Sequence, residues 1–460
     1  MTTAHLLHEQ ADAAAAEHHY PALAWGIVRD GVLAEHGGVG SLDDGSAPDE
    51  RTVFRIASMT KSFTAAAVLS LRDEGALLLD TPVAEYAPEL APVQGPDDSP
   101  RITLRHLLSM SAGIPTDDPW ADRHLDFTMD EIDEVYRAGS LFAFRTGDAY
   151  EYSNLGFGMI GRVVRRVTGR TVQEHISERF VGPLGMADTT WVQPPHDRWA
   201  RPYRWQDEAH VPDLPHPIGD GEISPMGGIW TTVADLARWV AWLDAAHAQP
   251  APRDGSALSA ASRREMQRIH TYIGTNDLLG RSYPNGYGFG LRIRDDADLG
   301  MVVGHSGGVP GYGSNMRWVA GTGVGAIALA NTTYAPAAHL TMQHLYTLHE
   351  AGELTRPGRE VSPPLRRAAE RLVALLNEWD HDAAAILFAD NVALDDEFGR
   401  RAAEARRLVD QHGPLTLVAL HPESATSGDA EVVGRSAHLR IRVELAPLVD
   451  ELVQAYHLPS

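Results

Sequence analysis

The sequence predicts an α+β protein. An antiparallel sheet flanked by helices joins an all-helical region, and a small α+β domain follows at the C-terminus. Three observations carry this. Strand-like segments lie near both ends of the first 350 or so residues, helix and loop signals fill the space between them, and a Pro/Gly-containing stretch precedes a tail that runs helices first and strands second. Strands so far apart in the chain must pair in one sheet, so the helical part, about 80–295, is an insertion packed beside it. The boundaries read as 1–352 for the main domain, 353–364 for a linker (GELTRPGREVSPP and its neighbours) and 365–460 for the small domain.

Taken in order, residues 4–18 read as an amphipathic helix. Ala22–Val28 and Val32–His36 flank Arg29-Asp30-Gly31, a hairpin signal. Val53–Ile56 is a further strand. The run from Ser58 to Gly75 is a helix, with Ser as the expected N-cap and Gly as the stop. Apolar residues cover nearly every side of its first turns, so it is expected to be buried. Helices are also expected at Thr103–Ser111, Met129–Ala138, Leu155–Thr168 and Thr231–Ala246. Pro-rich loops or a lid are expected at Pro194–Pro225 and Pro250–Ser256. Strand signals return at Tyr287–Ile293, Met301–His305, Ser314–Val319 and Gly325–Ala330, and Leu340–His349 closes the domain as a helix. The tail carries helix signals at Leu365–Trp379, Ala383–Ala389 and Asp396–His412, then strands at Leu415–His421, Ala430–Gly434 and Leu439–Leu445.

Composition narrows the function. Lysine plus arginine number 39 against 62 aspartates plus glutamates, a net charge of −23, which argues against nucleic acid or an anionic membrane as partner. There is no cysteine, so disulfides, thiolate catalysis and Cys-ligated zinc are excluded. The histidines show no metal-ligand spacing, and neither a metal nor another cofactor is expected. His339, His344 and His349 read as surface residues. No apolar run approaches a membrane span, and the N-terminus has no signal-peptide pattern, so a cytoplasmic protein is expected.

Of the 39 cationic residues, one alone is lysine: Lys61. It stands three residues after Ser58, in the first turn of a buried helix, where the helix end is positive and a cation is unfavourable. Burial and that field push a lysine towards its neutral, basic form. A hydroxyl and an amine one turn apart share a face, which suits a serine nucleophile with a lysine general base. Farther on, Tyr152 and Asn154 project to one side of an extended segment; a phenol beside the lysine suits proton transfer, and an amide suits orientation. Gly304-His305-Ser306-Gly307-Gly308 matches the nucleophile-elbow pattern, but that motif needs a helix straight after its serine. Val309-Pro310-Gly311 forbids one. The better reading is an edge strand whose glycines let backbone N–H groups approach a substrate, with His305 facing it.

Ser58-x-x-Lys61, Tyr152-x-Asn154 and His305-x-Gly307, in that order, resemble the serine β-lactamase and penicillin-binding-protein superfamily. The likeness is to the branch of class C β-lactamases, D-amino-acid peptidases and SxxK esterases, and it covers about residues 5–350. Ser224-Pro225-Met226-Gly227-Gly228 supports it. The resemblance implies a β-lactamase/transpeptidase-like fold with the site between sheet and helical region. It implies that Ser58 forms an acyl-enzyme, Lys61 takes the serine proton, Tyr152 relays it to the leaving group, and Asn154 positions Lys61 and substrate. His305 and Gly307 would face the substrate, and the N–H groups of Ser58 and Gly308 would form an oxyanion hole. Position 305 holds His where the β-lactamases have Lys, so a substrate carboxylate is gripped less well and β-lactam hydrolysis is not expected to be efficient.

Three functions follow. The first is a hydrolase acting on a small-molecule or peptidyl acyl substrate, an ester or a small amide. The second is an acyl transferase or peptide-cyclising thioesterase of penicillin-binding-protein type, with an acyl-carrier-bound substrate. The third is an acyl sensor that reacts once. Under the second, Arg440 and Arg442, alternating with Leu439, Ile441 and Val443, would bind a substrate carboxylate.

Overall fold

The computed structural model describes residues 2–195, 198–213, 219–248, 257–355, 358 and 360–459. Residues 196–197, 214–218 and 250–256 of the expected loops lie outside the described residues, as do 356, 357 and 359 of the expected linker. The chain divides into two compact units, Met1–Arg356 and Pro357–Ser460.

The first unit is built on an eight-stranded antiparallel sheet. Its strands are β1 (Ala22–Arg29), β2 (Val32–Gly40), β3 (Thr271–Leu278), β4 (Arg281–Tyr287), β5 (Arg292–Asp296), β6 (Gly300–Val309), β7 (Tyr312–Val319) and β8 (Val324–Ala330). Their spatial order is β2-β1-β8-β7-β6-β5-β4-β3. Leu23 lies opposite Ala330 and Val28 opposite Gly325, so the two ends of the domain do pair. Asp30 and Gly31 both turn through positive φ between β1 and β2, as a tight hairpin requires. β6 pairs with β7 up to Val309 opposite Tyr312, but with β5 only from Gly300 to Gly304. Among the described residues, 305–309 therefore have no strand on the β5 side.

One face of the sheet carries α1 (Thr3–Glu17) and α5 (Ala337–Glu350), which bury Leu7 and Ala11 against Trp25, Ile27 and Leu345. The other carries α2 (Thr60–Asp73), α3 (Asn154–Thr168), α4 (Val233–Asp244) and the rest of the helical region. Every α2 residue from Thr60 to Leu71 is buried, which explains its nearly all-round apolarity. Phe63 stacks on Trp239 of α4 at 3.8 Å, and the indole N–H of Trp239 donates to Ser62 at 3.0 Å. Truncating Phe63 to Ala should cost about 3–5 kcal/mol through the cavity it leaves.

Four local expectations are corrected. Ser58 does not cap α2. It lies in a 3₁₀ turn, Ala57–Met59, and the residue before α2 is Met59, with no side-chain cap bond. Tyr287–Ile293 is not one strand: Gly288 N–H donates to Leu291 O, closing a turn between β4 and β5. His344 is not on the surface but fully buried. Its Nε2–H donates to Leu7 O at 3.1 Å, and burial lowers its pKa to about 4. An unexpected hairpin, Tyr203–Gln206 with Ala209–Pro212, turns on Asp207 and Glu208, both at positive φ without a glycine to signal it.

The second unit packs α6 (Pro363–Asn377) and α7 (Phe398–His412) with two short helices on a four-stranded antiparallel sheet. That sheet is β9 (Thr416–Pro422), β10 (Ser427–Val433), β11 (His438–Leu445) and β12 (Val453–His457), in that order. Leu372 and Leu376 meet Ile441 and Val443 in its core. Arg440 lies opposite Glu431, and Arg442 pairs with Glu423, Glu444 and Asp429. The charge of both arginines is thus matched within their own unit.

Candidate active site

Ala57 sits at φ +47, a left-handed conformation that is costly for a residue with a Cβ. This kink ends the short strand Phe54–Arg55 and turns Ser58 to the start of α2. Lys61, one turn on, is completely buried. Its Nζ donates to Ser58 Oγ at 2.9 Å, to Asn154 Oδ1 at 2.6 Å and to Met226 O at 2.8 Å. Burial lowers its pKa to about 8, against the opposing pull of Asp118, Asp122 and Asp117.

The partners of Lys61 differ in kind. The carbonyl of Met226 can only accept. The Asn154 amide donates its Nδ2–H to Asp118 at 2.6 Å, which fixes Oδ1, an acceptor, towards the lysine. Ser58 alone of the three can reverse its role and donate. When Lys61 loses a proton, its lone pair is satisfied by the Ser58 O–H and by neither of the others. Asp117 secures this arrangement by accepting from the N–H groups of Asn154 and Leu155, at 2.7 and 2.8 Å, at the start of α3.

Tyr152 lies beside both groups. Its ring stands 4.9 Å from Lys61 Nζ. Burial, with Tyr287 next, holds the phenol well above its ordinary pKa, while a hydrogen bond with Ser58 works the other way. His305 is also buried. Its Nδ1 lies 2.5 Å from Ser306 O, and a carbonyl cannot donate, so the proton is on Nδ1. Nε2 then accepts the Tyr287 hydroxyl at 2.9 Å. Burial, and then the charges of Lys61 and Arg292, keep this ring neutral. Both nitrogens are occupied, which leaves no N–H for a substrate carboxylate.

Ser58, Tyr152, His305, Gly307 and Gly308 line one cleft of about 530 Å³, so the structure brings these predicted site residues together, with Lys61 and Asn154 directly beneath. Gly307 is required by space: a Cβ there would stand 2.0 Å from Ile56 O and 2.5 Å from Ser314 Oγ. Ser306 accepts from Asn315 Nδ2 at 2.9 Å and is followed by strand, not helix.

Several site residues escaped the sequence reading: Asp118, Tyr287, Arg292, and Tyr334, whose hydroxyl donates to Asp122 at 2.8 Å. Asp117-Asp118 before a proline is a helix-start signal that points to the first. The Met226 carbonyl carries no side-chain signal, although Ser224-Pro225-Met226-Gly227-Gly228 is part of the family resemblance. Among the described residues, no cluster of metal-ligating side chains stands out, and no helix is long and apolar enough to cross a membrane.

Penicillin-binding protein 4 of Amycolatopsis lactamdurans is 30% identical over 338 residues, covering 70% of this chain and 84% of its own. Protein flp of Staphylococcus aureus (strain MW2) is 25% identical over 335 residues, 72% of this chain; that alignment spans 63% of flp's length. Among solved structures, an octameric penicillin-binding protein homologue from Pyrococcus abyssi superposes with a TM-score of 0.64 at 20% identity, covering 96% of each chain. A D-stereospecific amidohydrolase from Streptomyces sp. gives 0.57 at 24%, covering 74% of this chain and 97% of its own. These two show the shared fold. The sequence pattern described as Beta-lactamase matches residues 7–349, and the chain therefore belongs to the β-lactamase family, whose members support serine-hydrolase-type chemistry in general.

Proposed function

We propose that the protein is a serine hydrolase that forms an acyl-enzyme at Ser58 and cleaves small esters or amides. The observation that carries this is the set of partners around Lys61: two fixed acceptors and one hydroxyl. A neutral amine so placed is a base aimed at a single proton. Ser58 Oγ attacks the substrate carbonyl carbon as its proton passes to Lys61 Nζ. The carbonyl oxygen, now negative, accepts from the N–H groups of Ser58 and Gly308, an arrangement worth about 3–4 kcal/mol per donor in comparable sites. Tyr152 gives its proton to the departing oxygen or nitrogen and recovers one from Lys61. Water then enters, loses its proton by the same route, and attacks the acyl carbon to release Ser58.

The neutral, doubly engaged His305 supports weak handling of β-lactams, since it offers no donor to their carboxylate. Acyl transfer to an amine uses the same serine. Asp118, which lines the cleft, is the feature that favours it, because a carboxylate there would attract an ammonium-bearing acceptor.

The test is turnover of a p-nitrophenyl ester with and without an added amine, together with the mass of the trapped protein. Steady hydrolysis with an acyl adduct on Ser58 supports the proposal. Product formed only when amine is present would replace it with the transferase. A single burst would replace it with the sensor, and an adduct on Ser306 would sink it.

A further inference from the structure

A second cavity, of about 320 Å³, lies on the α5 face of the sheet and shares Arg292 and Ser306 with the catalytic cleft. Arg294 and Arg317 line it, with Asn285 and Asn315. The register explains the grouping. Gly304 of β6 is opposite Arg292 on one side and Arg317 on the other, while Arg294 is opposite Val302 one row away. Directly opposed residues share a face, so three arginines gather around a position with no side chain. A Cβ at Gly304 would come within 2.3 Å of Met316 O.

None of the three has an ion-pair partner among the described residues. Arg292 donates to Tyr150 Oη at 2.9 Å. Arg294 lies over the Tyr283 ring at 4.1 Å, and its Nη1 is buried with no partner. Arg317, only 7% exposed, donates from Nε to Asn315 at 2.9 Å and turns Nη1 to Met342 Sδ. The carboxylates nearby hold other donors and stand beyond ion-pair distance, although the charge of Asp296 acts on Arg294 from there. Asp277 takes the Ser282 hydroxyl, and Asp296 takes the Tyr346 hydroxyl and the N–H groups of Asp298 and Leu299. Burial, then the charge of Arg294, lowers the Arg317 pKa to about 9, as expected for a cation without a counter-ion. Arg162, buried on α3, is by contrast matched with carboxylates.

We propose that this cavity is an anion subsite of the catalytic cleft, in which Arg294 and Arg317 bind a carboxylate carried by the substrate. Guanidinium suits this because its fork of N–H donors matches the two oxygens of a carboxylate. The inference rests on the serine-hydrolase reading and narrows its substrates to acyl compounds bearing a free carboxylate away from the scissile bond.

Two matched series test it. One compares p-nitrophenyl monoesters of four- to eight-carbon dicarboxylic acids with their methyl-capped diesters. The other compares butyryl esters of glycolic acid and of glycolamide, which puts the carboxylate on the leaving side. In at least one series the carboxylate member should have a kcat/KM at least tenfold higher, and Arg294→Gln should reduce that ratio to about twofold or less. Arg317→Met should do the same. If that buried substitution unfolds the protein, Arg294→Gln decides, together with glutarate inhibition of the wild-type protein on the neutral ester, which should be competitive and weaken with salt. Equal rates in both series, or a preference that survives Arg294→Gln, overturns the subsite while leaving the hydrolase. If no ester acylates Ser58 by mass, the hydrolase reading fails and the subsite falls with it.

Discussion

Two buried cations in the first unit are held in opposite ways. Arg162 on α3 is 1% exposed and faces Glu89 at 2.9 Å, Asp133 at 2.6 Å and Glu222 at 3.6 Å. Burial alone would lower its pKa, but the bonds to Glu89 and Asp133 win and raise it. Lys61 on α2 is equally buried, yet its contacts are a hydroxyl, an amide and a backbone carbonyl, all neutral. Its pKa falls to about 8. The carboxylates Asp117, Asp118 and Asp122 act on it only at a distance. The first arrangement fixes a charge in place; the second keeps a proton available for release. Neither side chain is open to solvent, so the ligands, more than exposure, decide which cation is structural and which is reactive.

The contrast can be broken in four ways. Lys61→Met should lower the acylation rate by about a thousandfold or more, the usual range for a lost general base, while unfolding free energy changes by less than about 2 kcal/mol. Burst kinetics and thermal melts measure the two separately; a variant that still acylates at a comparable rate would refute the role given to the lysine. Arg162→Met should do the reverse. It leaves Asp133 without its partner, while Glu89 keeps Arg166 and Glu222 keeps Arg165, and should cost about 3 kcal/mol of stability, seen as a lower Tm, while kcat of the folded fraction at low temperature stays close to wild type.

The pH profile comes next in size. The reactive form of Lys61 is the free amine, which predominates above its pKa. So kcat/KM should drop about tenfold per pH unit below about 8 and level off above it. A flat profile from pH 6 to 9 would show that this group does not limit the reaction. Asp118→Asn should have the smallest effect. It removes the charge that does most to keep the lysine protonated while leaving an oxygen to accept from Asn154, so the midpoint of the profile should move to lower pH. A midpoint that rises instead would contradict the electrostatic account.

Much of this was legible in the chain because the reactive residues sit in short patterns. Ser58 and Lys61 are one turn apart, Tyr152 and Asn154 are two residues apart in an extended segment, and a lone lysine among arginines marks the base. The apolar run of α2 revealed its burial, and the distant strand segments implied the β1–β8 pairing. Arg292 and Tyr287 carry no local pattern of this kind. They reach the site only because β5 pairs with β6 and β4 pairs with β5. TYIGTNDL forms edge strand β3, none of whose residues is buried, so no apolar alternation marks it in the sequence; its pairing with β4 holds it in the sheet. Ser58 resembled an N-cap because serine usually is one; here its oxygen is already engaged by Lys61.

The half of β6 beyond Gly304 has a consequence for association as well as for catalysis. Among the described residues no strand covers the β5 side of 305–309, and although the carbonyls of His305 and Ser306 already accept from Asn315 Nδ2 and His305 Nδ1, the rest of this edge is a template on which an extended polypeptide can lay itself, including a second molecule of the same protein. Arg292, at the point where β5 stops, sets a positive charge beside that template, the kind of residue that discourages sheets from joining edge to edge. Neutralising it would leave the protein more prone to stick to itself, a change that light scattering would register even where no reaction is being measured.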